Sequence, residues 1–249
     1  VLLLEQHPDR TGGCTHSFRE EGCEWDTGLH YTALAMSKAT ERPGAILKFM
    51  TKGMQQWTRL QDPYDQVIFP QDTNVAQGRP NRNTYDFVSG AKRTVDRVLA
   101  NIDPDNKELR KRALVWMNLC GVVNEGFTAL GLSRVLPKML HGLVQKRIDI
   151  LMKLASFTVW NVMYAVFNLG YNLVDLLDKD CPTAPFDVEP DPVLRRFKAC
   201  FTHPIGDYAV QPNSATFAAH GVTMSHYQEG AAYTVGPTQN ISIRSSSLV

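Results

Sequence analysis

Val1-Leu-Leu-Leu-Glu5-Gln-His-Pro-Asp-Arg10-Thr-Gly12-Gly13-Cys14 is the stretch on which the reading of the fold turns. A continuous apolar run closed by an acid predicts a strand over residues 1–5 that is covered on both faces. Dinucleotide folds use an acid at the end of such a strand to hold a ribose, because a carboxylate accepts hydrogen bonds from both ribose hydroxyls. Gly12 and Gly13 have no Cβ, so the backbone there can come close to a phosphate or a flat ring. Arg10 can neutralise phosphate charge. Taken singly, each of these features is common in proteins without a cofactor.

Outward from that stretch, residues 17–27 alternate around Phe18, Cys23 and Trp25 and predict two short extended pieces joined near Gly22. From Pro43 to about Thr58 the spacing of Ile46, Leu47, Phe49, Met50, Met54 and Trp57 is helical. Tyr64 to Pro70 and Tyr85 to Val88 read as strands, separated by a polar surface loop from Gln71 to Asn83. After Gly90 the pattern is helical again. Val95, Val98 and Leu99 share one face, Pro104 opens the next segment, and Leu109 to Val123 carries apolar residues at three-and-four spacing.

Leu140 to Leu177 is the most apolar part of the chain, and 21 uncharged residues lie between Lys153 and Asp175. That length could cross a bilayer, which takes about 20 residues. Asn161, Asn168 and Asn172 interrupt it on roughly one helical face, so the expectation is a buried or membrane-facing amphipathic helix over 154–174 that does not span. Pro182, Pro185, Pro190 and Pro192 mark a connector, and the last ordered block is expected from Val193 to about Tyr233. The first residues lack an initiator Met and the last close on Ser245-Ser246-Ser247, so the chain reads as a fragment.

The 249 residues carry 26 Lys and Arg against 25 Asp and Glu, a net charge of +1 that gives no footprint for nucleic acid. With 43% hydrophobic residues the chain can build a core. Five scattered cysteines do not form a disulfide framework. Cys14, His16, Cys23 and His30 have the chemistry of zinc ligands, but their spacing lacks the two tight pairs of structural sites, so no metal is expected. There is no Gly-x-Ser-x-Gly elbow for a nucleophilic serine. His220, beside Phe217 and Met224, reads as a core histidine.

Read as one pattern, the opening stretch continues through Thr15-His16-Ser17-Phe18 into Gly22-x-Glu24-Trp25-Asp26-x-Gly28-Leu29-His30-Tyr31. This resembles the FAD-binding segment of the carotenoid desaturase and isomerase family, in particular its retinoid-acting branch. A second resemblance lies downstream in Gly206-Asp207-Tyr208-x-Val210-x-Pro212, in Ser214-Ala215-x-Phe217-Ala218-x-His220, and in His226-Tyr227-x-x-Gly230-Ala-x-Tyr233-x-Val235-Gly236. Tyr85-x-Phe87-x-Ser89-Gly90 and Val135-Leu136-Pro137-x-Met139-Leu140 are similar more loosely. The family's Gly-x-Gly-x-x-Gly turn, roughly 20 residues before the strand acid, has no counterpart in these residues.

The resemblance implies an α/β flavoprotein. Residues 1–35 would be part of a Rossmann-like FAD-binding domain, residues 36–236 an α+β substrate domain that is largely helical after 90, and 237–249 a divergent tail. It implies an FAD-dependent oxidoreductase acting on retinol or another polyene lipid, with NAD or NADP as electron source, at the endoplasmic reticulum membrane. An isomerase or desaturase of the family, or a truncated lipid-binding product without redox activity, are the alternatives. Glu5 would hold the adenosine ribose, and Arg10, Gly12, Gly13 and Cys14 would approach the phosphates and ribityl chain. Gly28, His30 and Tyr31 would lie by the isoalloxazine, with His30 a candidate proton donor. Leu154 to Leu177 would line or cover the polyene tunnel, or dip into the membrane.

Overall fold

Glu21 and Gly22, at φ 51° and 79°, turn the chain back on itself between β1 (Ser17–Glu20) and β2 (Cys23–Asp26). Two successive positive-φ residues give a turn whose twist matches an antiparallel hairpin. Ser17 pairs with Asp26 and Phe18 with Trp25, so the two extended pieces read from the sequence are one hairpin. The computed structural model describes residues 13–28, 31–70, 84–179, 181–182, 189–236 and 240–241. The expected strand over residues 1–5 and the polar loop at 71–83 lie outside them. Contacts divide the chain into two units, residues 1–64 with 229–249, and residues 65–228.

In the first unit, β3 (Thr32–Ala33) leads into α1 (Leu34–Ser37), then α2 (Arg42–Met50) and β4 (Trp57–Arg59). The last strand among the described residues, β7 (Ala231–Thr234), lies between β3 and β4 and is antiparallel to both. Its Ala231 and Ala232 are fully buried, small side chains suited to a central strand. α2 is shorter than its periodicity predicts. Lys52 and Gly53 take positive φ, the Gly53 amide bonds back to the Lys48 carbonyl at 2.7 Å, and the chain leaves the helix before Trp57, which enters β4. This is the closure by which glycine ends helices.

The second unit begins with the antiparallel pair β5 (Asp65–Ile68) and β6 (Thr84–Phe87). Among the described residues eight helices follow: α3 (Ala91–Ile102), α4 (Lys107–Ser133), α5 (Gly142–Ala155), α6 (Val159–Phe167), α7 (Leu173–Asp178), α8 (Pro192–Phe201), α9 (Ile205–Tyr208) and α10 (Phe217–His226). α3 buries Val95, Val98, Leu99 and Ile102, the face its spacing predicts. Asn106, not Pro104, starts α4, accepting from the Leu109 amide at 2.8 Å. α4 packs on α3, α5, α6 and α10. Among the described residues it is the one helix long and apolar enough to cross a bilayer, yet Leu109, Ala113, Trp116, Cys120, Val123 and Ala129 line the core instead. Trp116 meets Phe217 at 5.1 Å and Phe167 at 5.6 Å between ring centroids, and Phe197 and Phe201 extend the cluster.

The uncharged run 154–174 is not one helix. It breaks after Ala155 and again after Phe167, and the asparagines fall at or near the breaks. Asn172 caps α7, accepting from the Val174 and Asp175 amides while Asp175 accepts from the Asn172 amide. α6 buries Val159, Val162, Met163, Ala165, Val166 and Phe167, so of the two expected settings it takes the buried one. Asn168, at the C-terminus of α6, joins a buried ion pair. Lys198 Nζ donates to Glu189 at 2.6 Å and to Asn168 Oδ1 at 2.5 Å, and Asn168 Nδ2 donates to Glu189 at 2.8 Å. The two charged side chains are only 6% and 8% exposed. Burial alone would raise the Glu189 carboxyl, but the bonds from Lys198 and Asn168 outweigh it and hold the group below its usual value.

The molecule therefore mixes helices with small antiparallel sheets, in keeping with the expected α/β character.

Candidate functional site

Parts of the two sequence words that carry the resemblance, the 16–28 hairpin and the 230–236 segment, meet in the first unit. β2 ends on Asp26, and the Thr27 amide bonds to the His16 carbonyl at 2.8 Å, tying the end of the hairpin to its beginning. Gly28 follows in an exposed bend, and Tyr31, half-buried, stands just before β3. β3 pairs with β7 through Thr32 with Ala232 and Ala33 with Ala231, which brings Tyr233 to the same region. The Tyr233 hydroxyl donates to the Asp26 carboxylate across 207 positions of sequence. Burial, then the Asp26 bond and charge, push the Tyr233 phenol up to about 12, so it stays protonated and keeps donating at neutral pH.

Gly13 opens a short 3₁₀ turn, Gly13–Thr15, that also carries Cys14. Its φ is +53°, and nothing lies within 4 Å of where a Cβ would stand. The backbone is therefore bare on one side, the property that a flavin ring or ribityl chain needs for close approach. Of the residues expected to approach the cofactor, Gly13, Cys14, Gly28 and Tyr31 are described. Glu5, Arg10, Gly12 and His30, the other expected site residues, lie outside the described residues.

The second unit holds a group of titratable residues that sequence reasoning did not assemble. Asp65, at the start of β5, lies 3.3 Å from Nε2 of His203. The other ring nitrogen of His203 contacts the Cys200 carbonyl at 2.9 Å, and the ring lies on Phe87 with centroids 4.1 Å apart. Asp207 lies close enough to feel His203 and Asp65. Burial raises its carboxyl, His203 opposes the rise and Asp65 adds to it. Tyr208 contacts Nδ1 of His220 at 2.8 Å. Burial pushes His220 down to about 3, so its ring is neutral at pH 7, as a core histidine. Burial and the charges of Asp207 and Asp65 push Tyr227 up to about 12.

Together these residues set the His203 ring against the Asp65 carboxylate, with Asp207 near by and the Tyr208 and Tyr227 phenols remaining donors at neutral pH. The signal that could have found them is the Gly206-Asp207-Tyr208 word, which places two of them four and five residues after His203. The buried thiols offer no rival chemistry. Burial raises Cys120, and raises Cys200 to about 12, so neither supplies a thiolate.

No protein-family model matches the chain, and no solved structure matches it. Curated relatives do. The chain is 29% identical over 242 residues to a Danio rerio protein named all-trans-retinol 13,14-reductase, the match covering 97% of this chain and 34% of the relative. It is 26% identical over 249 residues to the Rattus norvegicus protein of that name, and 24% identical over 249 residues to the Homo sapiens one, each match covering all of this chain and 35% of the relative. The chain thus spans about a third of the length of the curated relatives it matches.

Proposed function

We propose that this chain is part of an FAD-dependent oxidoreductase that saturates the 13–14 double bond of all-trans-retinol or a closely related polyene. The observation that carries the reading is the similarity to proteins named for that reaction along 97% or more of the chain. The Asp26–Tyr233 bond supports it, because it joins the two words of sequence on which the family resemblance rests.

On this reading residues 1–35 belong to a Rossmann-like FAD-binding domain and residues 36–236 to the substrate domain. Glu5 accepts from the ribose hydroxyls, and Arg10 with Gly12, Gly13 and Cys14 receives the phosphates and ribityl chain. Gly28, His30 and Tyr31 would lie by the isoalloxazine, with His30 the candidate proton donor. Bound there, FAD would supply the two-electron chemistry, recharged from NADH or NADPH. The protein's share is to bind, to orient the polyene and to exclude water. The Tyr233 hydroxyl holds Asp26, which ends β2 two residues before Gly28. The setting is the endoplasmic reticulum membrane, where retinol dissolves.

The test is expression of the full reading frame that contains this chain, incubation with all-trans-retinol and reductant, and analysis of the products. Dihydroretinol saturated at the 13–14 bond, with a flavin spectrum on the purified protein, is the expected result. An isomerised or further desaturated polyene would move the reading to another reaction of the family, and a flavin-free active protein would overturn it. Glu5→Gln keeps the shape but removes charge-assisted hydrogen bonds of about 1.5–3 kcal/mol each, so FAD retention should fall at least tenfold. The 249 residues contain no Gly-x-Gly-x-x-Gly turn, so expressed alone they should hold FAD weakly and show no turnover.

A further inference from the structure

The turn between α4 and α5 combines two features that a water-facing surface seldom combines. Between Glu125 and Asp149 there is no acidic residue, while Arg134, Lys138, Lys146 and Arg147 all occur there. Over the same turn large apolar side chains face outward: Met139 is 88% exposed, Val135 77% and Leu143 71%. Single exposed apolar residues are ordinary, but three within nine positions of one turn form a patch.

The patch stands on a fixed stem. Gly126 lets α4 and α5 approach so closely that a Cβ there would lie 2.6 Å from Cβ of Leu151. Val144, Leu151 and Leu154 seal the base of α5. The turn closes on itself through Leu136 N to Leu132 O, Leu140 N to Pro137 O, and a contact of the His141 ring with the Leu136 carbonyl at 3.1 Å. Arg147 is paired with Glu125 at 3.6 Å, whereas Arg134, Lys138 and Lys146 have no ion-pair partner among the described residues.

We propose that this tip is a docking surface for an anionic lipid bilayer. Met139, Val135 and Leu143 would enter the boundary between headgroups and acyl chains while the basic side chains extend to the lipid phosphates. The charge pattern selects this occupant. Any acid in the stretch would be repelled by the phosphates and none is present, and each Lys or Arg brought to such a surface strengthens binding about fivefold. Membrane contact is thereby placed on the α4–α5 tip instead of residues 154–174. The inference does not depend on the reaction proposed above, because binding alone reads it out.

The product of the full reading frame is sedimented with vesicles of phosphatidylcholine alone, or with about a third phosphatidylserine. It should pellet with the anionic vesicles, several-fold less with the neutral ones, and less again at high salt. Met139→Ser with Leu143→Ser should weaken binding about tenfold, without unfolding the protein since both side chains are exposed. Lys138→Glu with Lys146→Glu should weaken binding to anionic vesicles and leave binding to neutral ones unchanged. Val174→Ser is the control, an exposed apolar residue beside Asp175 and near Asp178, and should change nothing. Protein that stays in the supernatant with anionic vesicles would show that the patch is covered by other protein and overturn the proposal. Binding that survives both double variants, or falls equally in Val174→Ser, would overturn it as well.

Discussion

The two units bury very different things. Among the described residues, every one of the largest fully buried side chains, from Trp116, Tyr85 and Phe87 to Leu154 and Leu176, belongs to residues 65–228. The first unit, among its described residues, buries mainly small or polar side chains such as Ala33, Thr51, Ala231, Ala232 and Thr234. It leaves Phe18, Trp25, Ile46 and Phe49 exposed. One unit closes a core from a continuous run of sequence, and the other joins two distant runs through a three-stranded sheet. Free energy of folding should be concentrated in the first kind of construction, and the second should be sensitive to whatever else covers it.

The largest test of that contrast compares two tryptophans. Trp116→Ala removes a fully buried ring from the contact of α4, α6 and α10 and should cost about 3–5 kcal/mol in denaturant unfolding. Trp25→Ala, on the exposed face of the hairpin, should stay within about 0.5 kcal/mol. Equal losses would show that the hairpin is covered and the contrast false.

Lys198→Met probes the polar part of the same core. The wild-type Glu189 carboxyl lies below its usual value, so its contribution is present at neutral pH and is lost as pH falls through that lowered value. Without Lys198 the carboxylate is buried unpaired, and its escape is to take a proton. The loss should be about 3–4 kcal/mol at pH 7 and shrink toward pH 5, the reverse of the wild-type trend. A pH-independent loss would mean that the pair matters only through packing.

His220 supplies the next effect. Its value is about 3 in the folded chain, against about 6.5 in the unfolded one. Between those values the unfolded state binds more protons, so stability falls as pH drops. From pH 7 to pH 4 the loss from this residue should be about 3 kcal/mol, and His220→Gln, which can still accept from Tyr208, should flatten that part of the profile. An unchanged profile would place the acid sensitivity elsewhere.

The same contrast explains what could be read from sequence. α3 and the first half of α4 were legible because one face of each is buried continuously, and periodicity records that. The breaks within 154–174 were not, because Asn168 and Asn172 act there as helix-end groups, and a run without charges or prolines hides such ends. The early end of α2 at Lys52 and Gly53 was hidden in the same way by the apolar spacing that continues through Met54 and Trp57. The ends of the site were legible as words but not as neighbours. Nothing local says that Asp26 faces Tyr233, or that Asp65 lies beside His203, since each pairing depends on how distant strands and helices are brought together.

The smallest expected effect bears most directly on that last point. If the first unit is held by the joining of its two runs, Asp26 and Tyr233 should be coupled beyond their separate contributions. A bond to a carboxylate contributes about 1.5–3 kcal/mol when well buried. Both residues here are only half-buried, so solvent screening should reduce the coupling to about 1 kcal/mol. The measurement is a double-mutant cycle of Asp26→Asn, Tyr233→Phe and the pair, read by unfolding of the first unit. Asn can still accept from the Tyr233 hydroxyl, so Asp26→Asn alone should cost less than Tyr233→Phe, which removes the donor and leaves the carboxylate one bond short. The cycle should give a coupling of one sign at pH 7, larger at low salt than at high salt. Additive losses at both salt concentrations would mean that the sheet pairing of β3 with β7 alone holds the two runs together, and that the tyrosine only rests against the aspartate.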